Sequence, residues 1–82
     1  MYLRATVKGY FMFSRKKFAE RLKGLLSETD TTHHALAEAL GISRVQITSY
    51  CSESRQPTVD NLVAIAEYFN VSVDYLLGRT EK

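Results

Sequence analysis

The stretch TTHHALAEALGISRVQITSYC, residues 31–51, holds both histidines of the chain, His33 and His34, and its only cysteine, Cys51. Imidazole and thiolate are potential soft metal ligands. A structural or catalytic metal needs three or four converging ligands at suitable spacing, and these three are not spaced to converge, so no metal and no cofactor is expected. The chain also lacks a paired-carboxylate cleft, a nucleophile–base–orienter arrangement and a Gly-rich phosphate loop. An enzyme is therefore not expected, and the three residues need another explanation. It comes from the elements that carry them.

Two helices flank a short turn in this segment. The first runs from about His33 to Leu40, burying Leu36, Ala37 and Leu40, and stops at Gly41. The second begins after Ser43, a favourable N-cap, and places Ile47, Tyr50 and Cys51 on one face at i, i+3 and i+4. The linker LGIS must swing sharply, and Gly41 takes positive φ without steric strain. Ala37 is small enough for the second helix to approach closely, and Ile42 and Ile47 wedge the two at a fixed angle. This is what a helix-turn-helix requires.

The rest of the chain supplies the support. A helix begins at the N-cap Ser14, with Phe18, Leu22, Leu25 and Leu26 in one apolar stripe, weakened at Gly24 and ended by SETDTT. After the polar loop SESRQP, Thr58 caps a helix whose stripe is Leu62, Ile65, Ala66 and Phe69, closed by Asn70 in a left-handed conformation. Ser72 caps a last short helix with Val73, Leu76 and Leu77 facing inwards and Gly78 at its end. Residues 1–13 alternate with period two, from Leu3, Ala5 and Val7 to Phe11 and Phe13, and read either as a strand that pairs with a second chain or as a disordered leader ahead of Met12. The expected organisation is an arm over 1–13, a helical domain over 14–79 and a tail over 80–82.

Length, charge and cysteine usage narrow the setting. Eighty-two residues make one small domain with a thin core. A lone cysteine suits a reducing compartment, no apolar run approaches the roughly 20 residues of a membrane span, and no signal peptide is expected, so a cytoplasmic location with no membrane partner is expected. The net charge of +2 hides an asymmetry. Residues 1–23 carry seven basic groups and one acidic group, net +6; residues 24–82 carry four basic and eight acidic groups, net −4. A basic end on an acidic body suits an anionic partner, although a solvated charge run gives the same count.

The blocks FAERLKGLL, ALAEALGISRVQITSY and RQPTVDNLVAIAEYFNVSVDYLLG, in this order, resemble the phage-repressor (Cro/XRE-type) helix-turn-helix proteins over residues 15–78. The resemblance implies an all-α, compact five-helix, lambda-repressor-like DNA-binding domain. It implies a sequence-specific transcriptional regulator, a repressor acting as a homodimer on a palindromic operator in double-stranded DNA, with no small-molecule substrate. The alternative is an antitoxin-like or adaptor interaction module that keeps the fold.

Carried onto this sequence, the resemblance puts Arg44, Val45, Gln46 and Ser49 at base edges. Arg44 suits guanine, Gln46 adenine and Val45 a thymine methyl, with a solvated surface arginine as the alternative for Arg44. Ser43 and Thr48 lie near the DNA backbone. Thr32 and His33 hold phosphate at a helix N-terminus, where a glutamine is usual in the family at the place of His33. Ser52, Ser54, Arg55 and Gln56 follow the recognition helix along the backbone strand. Arg15, Lys16 and Lys17 are further phosphate contacts, since cations at a helix N-terminus are otherwise unfavourable by roughly 0.3–1 kcal/mol. The surface from Arg44 to Ser49 is expected to be exposed and without intramolecular partners.

Cys51 stands where the family often has a glutamate paired with an arginine, and Leu26 stands at the arginine's place. An apolar Leu26–Cys51 contact is expected in place of an ion pair, with His33 a helix away from the thiol. Glu53 replaces a usual glycine, so it either takes positive φ or diverts the loop.

Overall fold

The computed structural model describes residues 12–81. Five helices follow one another: α1 (Arg15–Glu28), α2 (His33–Leu40), α3 (Arg44–Cys51), α4 (Val59–Phe69) and α5 (Val73–Leu77). Each starts by the same local chemistry. Ser14, Thr32, Ser43, Thr58 and Ser72 hold extended backbone angles, and each hydroxyl accepts from the amide three residues on, in Lys17, Ala35, Gln46, Asn61 and Tyr75. Each such cap contributes about 1 kcal/mol, which matters in helices of only five to fourteen residues.

The helix ends are as local as the starts. Gly41, Asn70 and Gly78 adopt left-handed angles at φ 71, 57 and 80 and close α2, α4 and α5. After α3 the same role falls to Glu53 at φ 69, with the Ser54 amide donating to the Ser49 carbonyl. The two alternatives open for this position thus reduce to one: the loop keeps its path, and the side chain bears a strain of roughly 1–2 kcal/mol. At Gly78 a second constraint applies. A Cβ there would sit 2.9 Å from Cδ of Lys17, whose stem crosses the end of α5.

The helices close around one apolar cluster. Phe18, Leu22, Leu25 and Leu26 come from α1, Leu36 and Ala37 from α2, Ile47, Tyr50 and Cys51 from α3, Ile65 and Ala66 from α4, and Leu76 from α5. Leu40, Leu62, Phe69 and Val73 pack against this cluster half-buried. The Phe18 ring meets Phe13 at 6.0 Å and the Tyr50 ring edge-on at 5.8 Å, joining α1 to α3. The Tyr50 hydroxyl, on a ring 1% exposed, accepts from Asn61 Nδ2 at 2.9 Å, which ties α3 to the first turn of α4. Among the described residues no charged side chain is buried, and both Leu26 and Cys51 belong to the cluster.

The arm reading lies outside the described residues except for Met12 and Phe13, which are not helical. At the other end, the packed chain extends past residue 79. Arg21 Nη2 donates to the Thr80 carbonyl at 3.1 Å, and its guanidinium lies 4.3 Å from the centre of the Tyr75 ring. This cation, counted by sequence into the basic N-terminal face, is turned to the C-terminal segment. The ring and carbonyl hold it more firmly than its 3.9 Å approach to the exposed Glu81.

Candidate nucleic-acid interface

The site is built on α3 and on the N-termini of the two helices that flank it. Arg44 and Val45 are exposed in the first turn of α3, Val45 at 68%, with no partner for either side chain among the described residues. An exposed valine at a helix start has no packing role here, and an arginine there opposes the helix dipole. The same choice recurs. The first turns of α1, α2 and α3 contain no acidic residue, whereas α4 has Asp60 and α5 has Asp74. In place of acids, α1 opens on Arg15, Lys16 and Lys17, α2 on His33 and His34, and α3 on Arg44. Three helix starts therefore combine free amides with basic side chains, an arrangement suited to anions.

Side-chain contacts bring the starts of α1 and α2 to the second half of α3 and the loop after it. Arg15 Nη1 donates to the Ser54 carbonyl at 3.3 Å, bringing the basic start of α1 beside the loop after α3. At the start of α2, His33 Nδ1 lies 3.1 Å from Thr48 Oγ1. Arg55 is exposed in that same loop. Two carboxylates temper the surface: Glu38 sits 3.7 Å from His34 Nε2, and Glu53 is exposed beyond α3.

Several expected side chains are present but already engaged. Gln46 is half-buried, and its Oε1 accepts from the Ser43 amide at 3.2 Å while the Ser43 hydroxyl accepts from the Gln46 amide at 3.2 Å. This reciprocal capping box holds the recognition helix in register at its start, and Gln46 cannot read adenine bidentately without giving it up. Thr32 likewise spends a lone pair on the Ala35 amide. The hydroxyls of Ser52 and Ser54 lie 3.0 Å apart, and each is within reach of the Ser49 carbonyl, at 3.2 and 3.3 Å. The expectation of a surface without intramolecular partners thus holds for Arg44 and Val45 and fails for Gln46 and Thr48. The physical reason is that an eight-residue helix has few internal bonds and borrows side chains to finish both ends. The spacing S-x-x-Q at Ser43–Gln46 was the signal for this box.

The separation expected between His33 and Cys51 is also wrong. The His33 ring carries Nδ1 to Thr48 and Nε2 to within 3.8 Å of Cys51 Sγ. Thr48 and Cys51 lie three residues apart on one face of α3, and the first turn of α2 crosses that face because the turn at Gly41 folds α3 back along α2. Proximity does not make the pair catalytic. Burial pushes the Cys51 thiol above its ordinary value, with only the charge of Lys23 opposing, and no cavity for a substrate opens among the described residues. Nor does any group of three or more His, Cys, Asp or Glu among the described residues gather with metal-binding geometry.

A short helix crossing another after a glycine turn, with its outer face exposed and its flanks basic, defines a helix-turn-helix domain. The helix-turn-helix family matches residues 21–76. The chain belongs to this family, in its phage-repressor (Cro/XRE) branch.

It is 39% identical over 64 residues to the uncharacterized HTH-type transcriptional regulator YobD of Bacillus subtilis, covering 78% of this chain and 57% of that one. It is 36% identical over 63 residues to the cryptic phage CTXphi transcriptional repressor RstR of Vibrio cholerae, covering 77% of this chain and 56% of that one. The fold is similar to the P22 c2 repressor protein in complex with a synthetic operator, with a TM-score of 0.72 and 27% identity over 77% of this chain and 96% of that one. The chain spans a little over half the length of those two sequence relatives. No described helix is long and apolar enough to cross a membrane.

Proposed function

We propose that the chain is a sequence-specific DNA-binding transcriptional regulator, a cytoplasmic repressor that sits as a homodimer on a palindromic operator. The observation that carries this reading is the set of three acid-free helix starts, those of α1 and α3 carrying arginine or lysine, around the exposed outer face of α3. In the proposal α3 enters the major groove, Arg44 and Val45 meet base edges and Ser49 follows one turn on. Ser43, Thr48 and the first-turn amides of α2 beside Thr32 and His33 meet one phosphate strand; Ser52, Arg55, Arg15, Lys16 and Lys17 meet the other. Similarity to a phage repressor and to a repressor in complex with an operator supports it. Two α3 copies in successive major grooves stand about 34 Å apart, so the operator has two half-sites related by that spacing.

A salt titration against a mixed pool of duplexes tests the electrostatic part. With six or more phosphates neutralised per dimer, affinity falls by roughly a thousandfold between about 50 and 200 mM salt. Binding that is absent at low salt, or flat with salt, contradicts DNA as the partner and leaves a protein-interaction module as the reading.

A further inference from the structure

His33 touches α3 at two points, and both contacts pass through one ring. A neutral imidazole has one N–H and one bare nitrogen, so its two contacts differ in direction. The Cys51 thiol is buried and pushed above its ordinary value, so it keeps its proton at neutral pH and can donate to a bare Nε2 at 3.8 Å. Nδ1 then carries the ring proton and donates to Thr48 Oγ1 at 3.1 Å. With its lone pair so engaged, the exposed Thr48 hydroxyl keeps its own proton for an outside acceptor. In the opposite arrangement Thr48 spends that proton on Nδ1 and turns only lone pairs outwards, a poor match for an anionic groove.

We propose that His33 is a positioning residue for the recognition helix: it clamps α3 at Thr48 and Cys51, fixes the rotation of α3 about its axis, and orients the Thr48 hydroxyl as a donor towards DNA. The thiol acts through the imidazole, by selecting its tautomer. The role of Thr48 towards DNA rests on the proposed function above, whereas the clamp itself is a property of the free protein. A ring held in this way is not a phosphate ligand, since neither nitrogen is left for one. The clamp also gives the unusual Cys51 a task beyond filling space. A contact 18 residues away in sequence becomes a control on where Arg44 and Val45 point.

The clamp is read in the free chain by nitrogen NMR of the His33 ring at neutral pH. The expected signature is a protonated Nδ1 and a bare Nε2, with Cys51→Ala shifting the ring towards the Nε2–H form that an unconstrained histidine side chain prefers in water. A native ring already in the Nε2–H form, or one unmoved by Cys51→Ala, overturns the proposal. On DNA, His33→Leu is expected to lower discrimination between a selected operator and random duplex by about three- to tenfold, with the salt slope unchanged. His33→Gln, which keeps one donor and one acceptor on a planar group, restores most of that loss. If His33→Leu weakens both duplexes alike and the salt slope drops by about one, the residue is a phosphate contact and the clamp role is wrong. If the native chain binds no DNA at all, the regulator reading fails, and the ring signature still decides the clamp.

Discussion

Phe18→Ala is expected to remove most of the stability of the fold. Phe18 is fully buried and stands between Phe13 and Tyr50, so its ring joins the start of α1 to the middle of α3. Truncating a buried phenylalanine costs about 3–5 kcal/mol, the lost transfer energy plus that of the cavity left behind. A domain of this size has a thin core, and total stabilities of roughly 5–15 kcal/mol are usual, with small domains at the lower end. Neighbouring side chains cannot close the gap cheaply, because Tyr50 is anchored through its hydroxyl to Asn61. Thermal melts followed by circular dichroism should show a midpoint lower by at least roughly 12 °C. Val59→Ala, at a site 76% exposed, should change stability by no more than about 0.5 kcal/mol. A loss below about 1 kcal/mol for Phe18→Ala would mean that α1 and α3 are not held together through this ring.

Arg44→Ala is expected to have the largest effect on recognition while leaving the fold intact. Its side chain has no partner among the described residues, and an arginine in the first turn of α3 works against the helix dipole. Removing it should leave the melting midpoint unchanged or slightly raised. Binding to a selected operator should fall by roughly 30- to 20,000-fold, the equivalent of one bidentate base contact of about 1–3 kcal/mol lost in each of the two half-sites, with preference relaxed at a single base pair in each. Binding to random duplex should fall far less. Equal losses on both duplexes would reassign Arg44 to phosphate. Competition binding with operator variants at each position separates the two outcomes.

The contrast between these residues explains what the sequence discloses and what it withholds. Helix starts and stops were legible because they are settled within four residues: a serine or threonine before each helix, and Gly41, Asn70 or Gly78 after three of them. The apolar stripes were legible for the same reason, since a period near 3.6 is a local property. The His33–Thr48–Cys51 cluster was not, because it depends on the angle at which α2 crosses α3, which no local pattern encodes. The inward turn of Arg21 was hidden in the same way. As a residue type it adds to a basic face; in space it closes over Tyr75 and Thr80, 54 and 59 positions away. Gln46 is a different case. Its capping box was written in the four-residue pattern from Ser43, but a glutamine on a recognition helix invites a base-reading role first. Glu53 is the reverse, a residue whose type argues against its backbone angle and which adopts it all the same. The Schellman-type closure after α3 outweighs the strain of a left-handed glutamate.

In the proposed reading the outer face of α3, with Arg44, Val45 and Ser49, reads base sequence. Selection of bound duplexes from a randomised pool by the full chain, followed by sequencing, tests it most directly. The expected result is enriched sequences with twofold symmetry, half-sites about one helical turn apart, and an information-rich guanine that disappears when the selection is repeated with Arg44→Ala. A pool that binds without enrichment, or an enriched site unchanged by Arg44→Ala, contradicts reading by α3.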